Sequence, residues 1–291
     1  MHINPYYKFV SDIQERFVSG KTLPLGNHEP RSERSSSETN VQAPVALIFA
    51  PHPDDECVIG ALPLRLLREA EMRVINIAIT LGSNPARQQE RWKELSAACN
   101  WIGFGLEKTA PNGLEQINPK TRAGNPAHWK TAVRVIAGAL ERHQPRVIFF
   151  PHEHDANSTH IGAHLLVNDA LKSMSEYFGC FVIETEFWAP MSSPNLMIES
   201  SAQDVAELVS ALSFHVGEVQ RNPFHLRLPA WMIDNVRRGA ELAGAQGRAA
   251  PDFVFATLYR LSQWKNGGLK PLFTGGRQVA ASDSIASIFV C

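Results

Sequence analysis

The sequence lacks most of what would mark a secreted, membrane-spanning or nucleic-acid-binding chain. Among 291 residues there are only four cysteines, Cys57, Cys99, Cys180 and Cys291. They are far apart and form no Cys-x-x-Cys pair, so neither a disulfide framework nor a thiolate zinc site is expected, and a reduced compartment is. No apolar run approaches the roughly 20 residues of a membrane span. The N-terminal stretch MHINPYYKFV has no cationic segment followed by a long apolar one, so no secretory leader is expected. The formal net charge of −1 offers no basic field to nucleic acid or to an anionic membrane. Also absent is a Gly-x-Gly-x-x-Gly after the first apolar strand, the fingerprint of a dinucleotide crevice. These absences predict a cytoplasmic protein that acts on a small molecule, with no nucleic-acid and no membrane partner and with a homo-oligomer left open.

What the sequence does have is a repeated alternation of short apolar runs and amphipathic stretches. Residues 1–42 read as an N-terminal extension: an amphipathic piece, Tyr7 to Phe17, expected to dock as a short helix, then the polar tract RSERSSSETN, which cannot bury enough surface to fold alone. Residues 43–291 read as one α/β domain. Val45 to Phe49 is a buried strand, Val58 to Ala70 a helix, Arg73 to Thr80 a second strand, and Ala86 to Trp101 a helix. Phe104 to Asn125 reads as a long loop, Trp129 to His143 as a helix, and Arg146 to Phe150 as a third strand. Strands and helices alternating over short connections predict βαβ units and a mostly parallel sheet, in a Rossmann-like three-layer fold. Later, Cys180 to Trp188 and Phe253 to Leu261 read as strands, Ala202 to Phe214 as a helix, and Asn222 to Trp231 as a loop with aromatic residues suited to stacking on a sugar.

Two of these strands end in polar clusters. The first runs into His52-Pro53-Asp54-Asp55-Glu56, placed where open α/β sheets form their ligand crevice. Acids in the first turn of a helix also complement its dipole, so the three acids alone fit a helix start as well as a site. The histidine at the strand exit adds chemistry that a helix start does not need. His52 and Asp55 supply part of a catalytic zinc site, and Asp54 beside them is a candidate general base. The second cluster, PHEHDANSTHIGAH, offers His152, His154, Asp155, His160 and His164 for the missing ligand. His160 and His164, four apart, form one candidate pair on a helix face, and Asn157, Ser158 or Thr159 suits the N-cap of that helix. His152 and His154 are each candidates for touching substrate.

The segment His52-Pro53-Asp54-Asp55-Glu56 resembles the H-P-D-D-E signature of the LmbE/PIG-L zinc-dependent N-acetyl sugar deacetylases. The resemblance extends loosely from Ala43 to Leu261. It implies an LmbE-like fold and a zinc held by His52, Asp55 and His160, with Asp54 as the general base. Iron or another divalent metal is the alternative occupant. Arg91, Glu94 and Ala98, ahead of Ile102-Gly103, match a further family pattern in which the arginine reaches the sugar. Asn157 stands where many members carry a histidine: it can donate a hydrogen bond to an oxyanion but carries no proton. The proton for the leaving amine then falls to Asp54, or to His152, His154 or His215. The stretch SALSFHVGEVQ is similar to a late family helix whose histidine corresponds to His215, with Gly217 and Glu218 departing from its Ser-Gln. An acidic Ala-Glu motif of the late strand is missing. The expected substrate is an N-acetylglucosamine-type conjugate that loses acetate. Two rivals are a deacylase of a non-sugar N-acyl compound in secondary metabolism and a non-catalytic nucleotide-binding α/β module.

Overall fold

Val45–Ala50 forms β1, buried at all six positions. Its side chains alternate between two cores. Ala46, Ile48 and Ala50 pack with Leu64, Leu95 and Leu208, whereas Val45, Leu47 and Phe49 pack with Ile136, Leu140 and Leu166. A strand apolar on both faces requires helices on both faces, and the expected layers follow. The computed structural model describes residues 4–26, 42–244, 247 and 249–289.

β2 (Arg73–Ala78) pairs in parallel with β1, and β3 (Gly105–Lys108) with β2. On the other flank of β1, β4 (Val147–Pro151) and β5 (Cys180–Thr185) continue in parallel. The described strands form one nine-stranded sheet in the order β3-β2-β1-β4-β5-β7-β6-β9, with β8 on β7. The chain thus leaves β1 toward one edge and returns on its other side at β4. That crossover brings the C-terminal ends of β1 and β4 together, which is where an open α/β sheet makes its crevice.

The elements between strands differ from expectation in instructive places. The helix expected over Val58 to Ala70 is two pieces, α2 (Asp55–Val58) and α3 (Leu62–Arg68). Gly60 breaks it with a positive φ of 85°, and a Cβ there would run into Thr257 and the Tyr259 hydroxyl. α4 (Pro85–Ile102) is as expected, but the long loop after it contains β3 and α5 (Pro119–Gly124). α6 (Pro126–His143) and α7 (Ser158–Ser173) cover one face of the sheet.

Beyond β5 come β6 (Leu196–Ser200), α8 (Ala202–Leu212), α9 (Val216–Arg221) and α10 (Leu228–Gly239). The stretch expected as a loop at Asn222 to Trp231 is therefore a single 3-10 turn leading into α10. β7 (Phe255–Lys265) fills the late-strand position but runs antiparallel to β5 and β6. β8 (Gly268–Pro271) and β9 (Arg277–Val279) complete the edge. The N-terminal helix, α1 (Pro5–Gly20), docks only by its last turn, through Gly20 on Leu226 and Phe17 under Arg227. The expected helix is present, but its apolar residues Tyr6, Phe9, Val10 and Ile13 are exposed. The polar tract of residues 31–40 lies outside the described residues. Among the described residues no helix is long and apolar enough to cross a membrane.

Candidate active site

His52 and Asp55 leave the end of β1, and His160 rises from the first turn of α7, capped by Asn157. Their donor atoms meet. His52 Nδ1 lies 3.1 Å from His160 Nε2 and 3.5 Å from Asp55 Oδ2, and the last two atoms are 3.3 Å apart. Bonds of about 2.0–2.1 Å in a tetrahedral site set ligand atoms about 3.3–3.4 Å from one another. The three residues therefore fit one divalent metal, with a face of the tetrahedron left for water or substrate. Two ring nitrogens that point at each other beside a carboxylate are also the arrangement a cation relieves. His52 keeps its orientation because its own backbone N–H donates to Asp55 Oδ2 at 2.8 Å.

Electrostatics bind the trio further. Burial alone would raise the Asp55 carboxyl, but the His160 and His52 rings hold it below the usual carboxylate range. Burial alone would lower the His160 ring, and the Asp55 carboxylate raises it instead. Behind His160, the buried Asp155 carboxylate lies 3.7 Å from Nδ1, a ring atom with no hydrogen-bond partner. Asp155 also accepts the backbone N–H groups of Asn157 at 2.8 Å and Trp188 at 3.1 Å. One carboxylate thus sits behind a candidate ligand ring and fixes the two segments beside it, the arrangement that orients histidines in metal sites.

Asp54 stands next to the trio with φ at 113°, outside the conformations most side chains adopt. Its N–H donates to Glu56 Oε2 at 3.0 Å. Burial, followed by the neighbouring Asp55 charge, raises its carboxyl well above the usual range. Arg91 donates to the Pro53 carbonyl at 2.8 Å and lies 3.7 Å from the Asp54 carboxylate. Arg91, which the family resemblance has reaching a sugar, is directed at the turn that presents Asp54. Glu94, one turn on from Arg91, accepts the N–H of Gly217 at 3.0 Å.

His215 and His154 also differ from expectation. His215 is fully buried with Nε2 2.8 Å from Glu56 Oε1, so it faces a carboxylate under the motif and not an open crevice. Burial would lower its ring and Glu56 raises it. Glu56, legible in the sequence only as a helix-start acid, couples His215 to the Asp54 turn. His154 is 78% exposed, with Glu153 3.5 Å away, and is not brought to the trio. Its neighbour His152 is buried, its Nε2 3.0 Å from the Ala189 carbonyl. His164 turns its Nδ1 to the Pro151 carbonyl at 3.0 Å, so it does not join His160 on one metal.

Two cavities adjoin the trio through different members. A polar one of about 590 Å³ is lined by His52, Thr80, Ser83, Gln88, Asn118 and Asn157, among others. The Asn157 carboxamide oxygen accepts from Thr159 N–H at 2.8 Å, which leaves its NH2 end to donate. The other cavity, about 200 Å³, lies against Asp54 and Asp55 and is walled by Phe187, Trp188, Phe224 and Trp231. Phe187 meets the His160 ring edge to face at 4.7 Å, so the apolar wall starts at the trio itself. The signal for this wall was present in the aromatic residues of Asn222 to Trp231 and in Phe187-Trp188 past β5, but their meeting is tertiary. A larger space of about 750 Å³ opens at the N-terminal ends of β2 and β3, away from this chemistry.

Residues 47–171 match the family model described as PIG-L: GlcNAc-PI de-N-acetylase. None of the curated proteins compared with the chain matches it. Among solved structures, N,N'-diacetylchitobiose deacetylase from Pyrococcus horikoshii is similar at a TM-score of 0.53 and 16% identity, covering 82% of this chain and 93% of that one. A conserved protein of Thermus thermophilus has a TM-score of 0.51 at 18% identity, over 74% of this chain and 93% of that one. GalB, the 4-carboxy-2-hydroxymuconate hydratase from Pseudomonas putida, has a TM-score of 0.51 at 15% identity, over 75% and 95% respectively. Identities this low establish a shared fold. The family model matched over residues 47–171 contains His52, Asp55 and His160, so that segment is similar to the PIG-L (LmbE-like) family.

Proposed function

We propose that the protein is a metal-dependent N-deacylase that releases a carboxylate, acetate in the simplest case, from an N-acylated sugar-type amine. The observation that carries this reading is the donor triangle of His52, Asp55 and His160, whose edges of 3.1, 3.5 and 3.3 Å suit a tetrahedral cation beside the Asp54 carboxylate. Zinc is the expected ion, with iron or another divalent metal as the alternative. Such an ion supplies Lewis-acid polarisation of a carbonyl and a lowered pKa for water. The residues of the chain do the rest. Asp54 takes the proton of the attacking water and returns it to the departing nitrogen, since Asn157 carries none. The Asn157 NH2 donates to the oxygen that gains charge as the carbonyl carbon becomes tetrahedral. Arg91 and Glu56 hold the Asp54 turn in place. The polar cavity, with its hydroxyls and carboxamides, suits a polyhydroxylated amine. The fold likeness to chitobiose deacetylase supports a sugar-type substrate.

A second reading starts from a hydratase that shares the fold at a TM-score of 0.51. In it, the same water would add across a carbon–carbon double bond. Elemental analysis of wild type and His160→Ala, followed by assay of N-acetylglucosamine conjugates for free amine and acid, tests both. About one metal per wild-type chain, little in the variant, and equimolar amine and acid support the deacylase. Metal without amine release from any amide refutes the deacylase and leaves the hydratase.

A further inference from the structure

The proposed reaction joins two unlike parts through one amide, and the trio lies between two unlike cavities. The polar cavity reaches the trio at His52 and Asn157. The apolar cavity reaches it at Asp54 and Asp55, and the two have no lining residue in common. An amide whose carbonyl sits at the trio has its amine part on one side and its acyl part on the other. With the polyhydroxylated amine in the polar cavity, the group in the apolar one is the acyl chain.

That cavity is a built apolar surface. Trp188 and Phe224 meet edge to face 6.0 Å apart, and Val58, Leu228 and Trp231 close the remaining sides. Its polar lining is limited to the two motif carboxylates, Asn222 and Arg227, and Arg227 is engaged over the Phe17 ring at 4.6 Å. At about 30 Å³ per water, a space of about 200 Å³ equals roughly seven waters. An acetyl methyl leaves most of it as water against aromatic walls, a state that apolar burial would improve. We propose that the acyl group removed here is apolar and larger than acetyl, an aromatic or medium-chain acyl held by Phe187, Trp188, Phe224, Leu228 and Trp231. The proposal rests on the deacylase reading above. The reaction balances with water alone: the amide C–N bond breaks, a C–O bond forms to the water oxygen, and the water proton ends on the released amine.

The test compares N-acetyl-, N-hexanoyl- and N-phenylacetyl-D-glucosamine on the zinc-loaded full chain, by amine release. A buried methylene multiplies kcat/KM by about four, so hexanoyl and phenylacetyl substrates are expected to exceed acetyl by at least tenfold. Trp231→Ala lowers the phenylacetyl-to-acetyl ratio by roughly tenfold, and Trp231→Phe by less. A second readout needs no turnover: phenylacetate added to metal-free protein changes tryptophan emission at a concentration at least tenfold below acetate. Equal or faster cleavage of the acetyl compound overturns the inference and leaves the deacylase reading standing, as does equal binding of the two acids. If no amide is cleaved by the loaded enzyme, the deacylase reading falls and the acyl assignment falls with it.

Discussion

Asp54 is held by its neighbours in a backbone conformation that costs a side-chain-bearing residue of order 1–3 kcal/mol. The Glu56 carboxylate accepts its N–H, Arg91 grips the preceding carbonyl, and His215 fixes Glu56 from below. Strain of this kind persists where surroundings over-determine it, and here it presents a carboxylate to the trio. Asp54→Asn keeps size and tolerance of positive φ while removing the proposed base. Its kcat should fall by about 10²–10⁴, with metal content by elemental analysis unchanged. Asp155 is a positioning residue: it touches His160, Asn157 and the Trp188 backbone. Asp155→Asn should weaken metal binding by about 10- to 100-fold, read by competition with a chromogenic chelator, while Asp54→Asn should not. At this scale the sequence was informative about residue type and not about direction. His52 and Asp55 were legible as candidates from a histidine beside acids at a strand exit, whereas His160 was singled out from five polar residues only by the family resemblance. The partners of Arg91, His154 and His215 were not legible, because a side chain's partner is set by whichever element packs against it.

Between elements, the second polar cluster mostly joins strands. Arg260 on β7 binds Glu184 on β5 at 2.6 Å and also Glu153 just past β4. Burial would raise the Glu153 carboxyl, but Arg260 holds it down, to about 2. A depressed carboxyl contributes stability above its unfolded value, about 4.3, and that contribution fades as pH falls from there toward 2. Glu153→Gln should therefore flatten this part of the melting temperature against pH between about 4.3 and 2. Arg260→Gln leaves Glu184 buried beside a neutral partner and should cost about 3–5 kcal/mol in urea unfolding at neutral pH. The departures Gly217 and Glu218 have a comparable role: Glu218 pairs with Arg87 at 2.9 Å, and a Cβ on residue 217 would strike that same Arg87. They tie α9 to α4. Neither strand order nor the antiparallel run of β7 could be read from periodicity, because a strand's pattern records which faces are buried and not which strand lies beside it.

For the whole molecule, the trio joins the end of β1 to the start of α7, so a bound cation would cross-link elements 108 residues apart. Chelation should lower the melting temperature. Metal at 100 times its dissociation constant adds about 2.7 kcal/mol, worth about 2–4 °C per kcal/mol in a chain of this size. His160→Ala should melt at one temperature with or without metal, measured by calorimetry. By itself, the sequence determined the α/β class, the strands at Val45, Arg73 and Arg146, and the two polar clusters at strand exits, since periodicity and residue type are local properties. It also specified the candidate ligand types, because an imidazole and a carboxylate bring their chemistry with them. Tertiary structure alone decided that β1 and β4 lie side by side and so close the trio. It also turned His215 inward to Glu56, left the face of α1 uncovered, and walled one side of the trio with aromatic rings from β5 to α10. Those outcomes depend on contacts between segments far apart in the chain, and no window of sequence contains both partners.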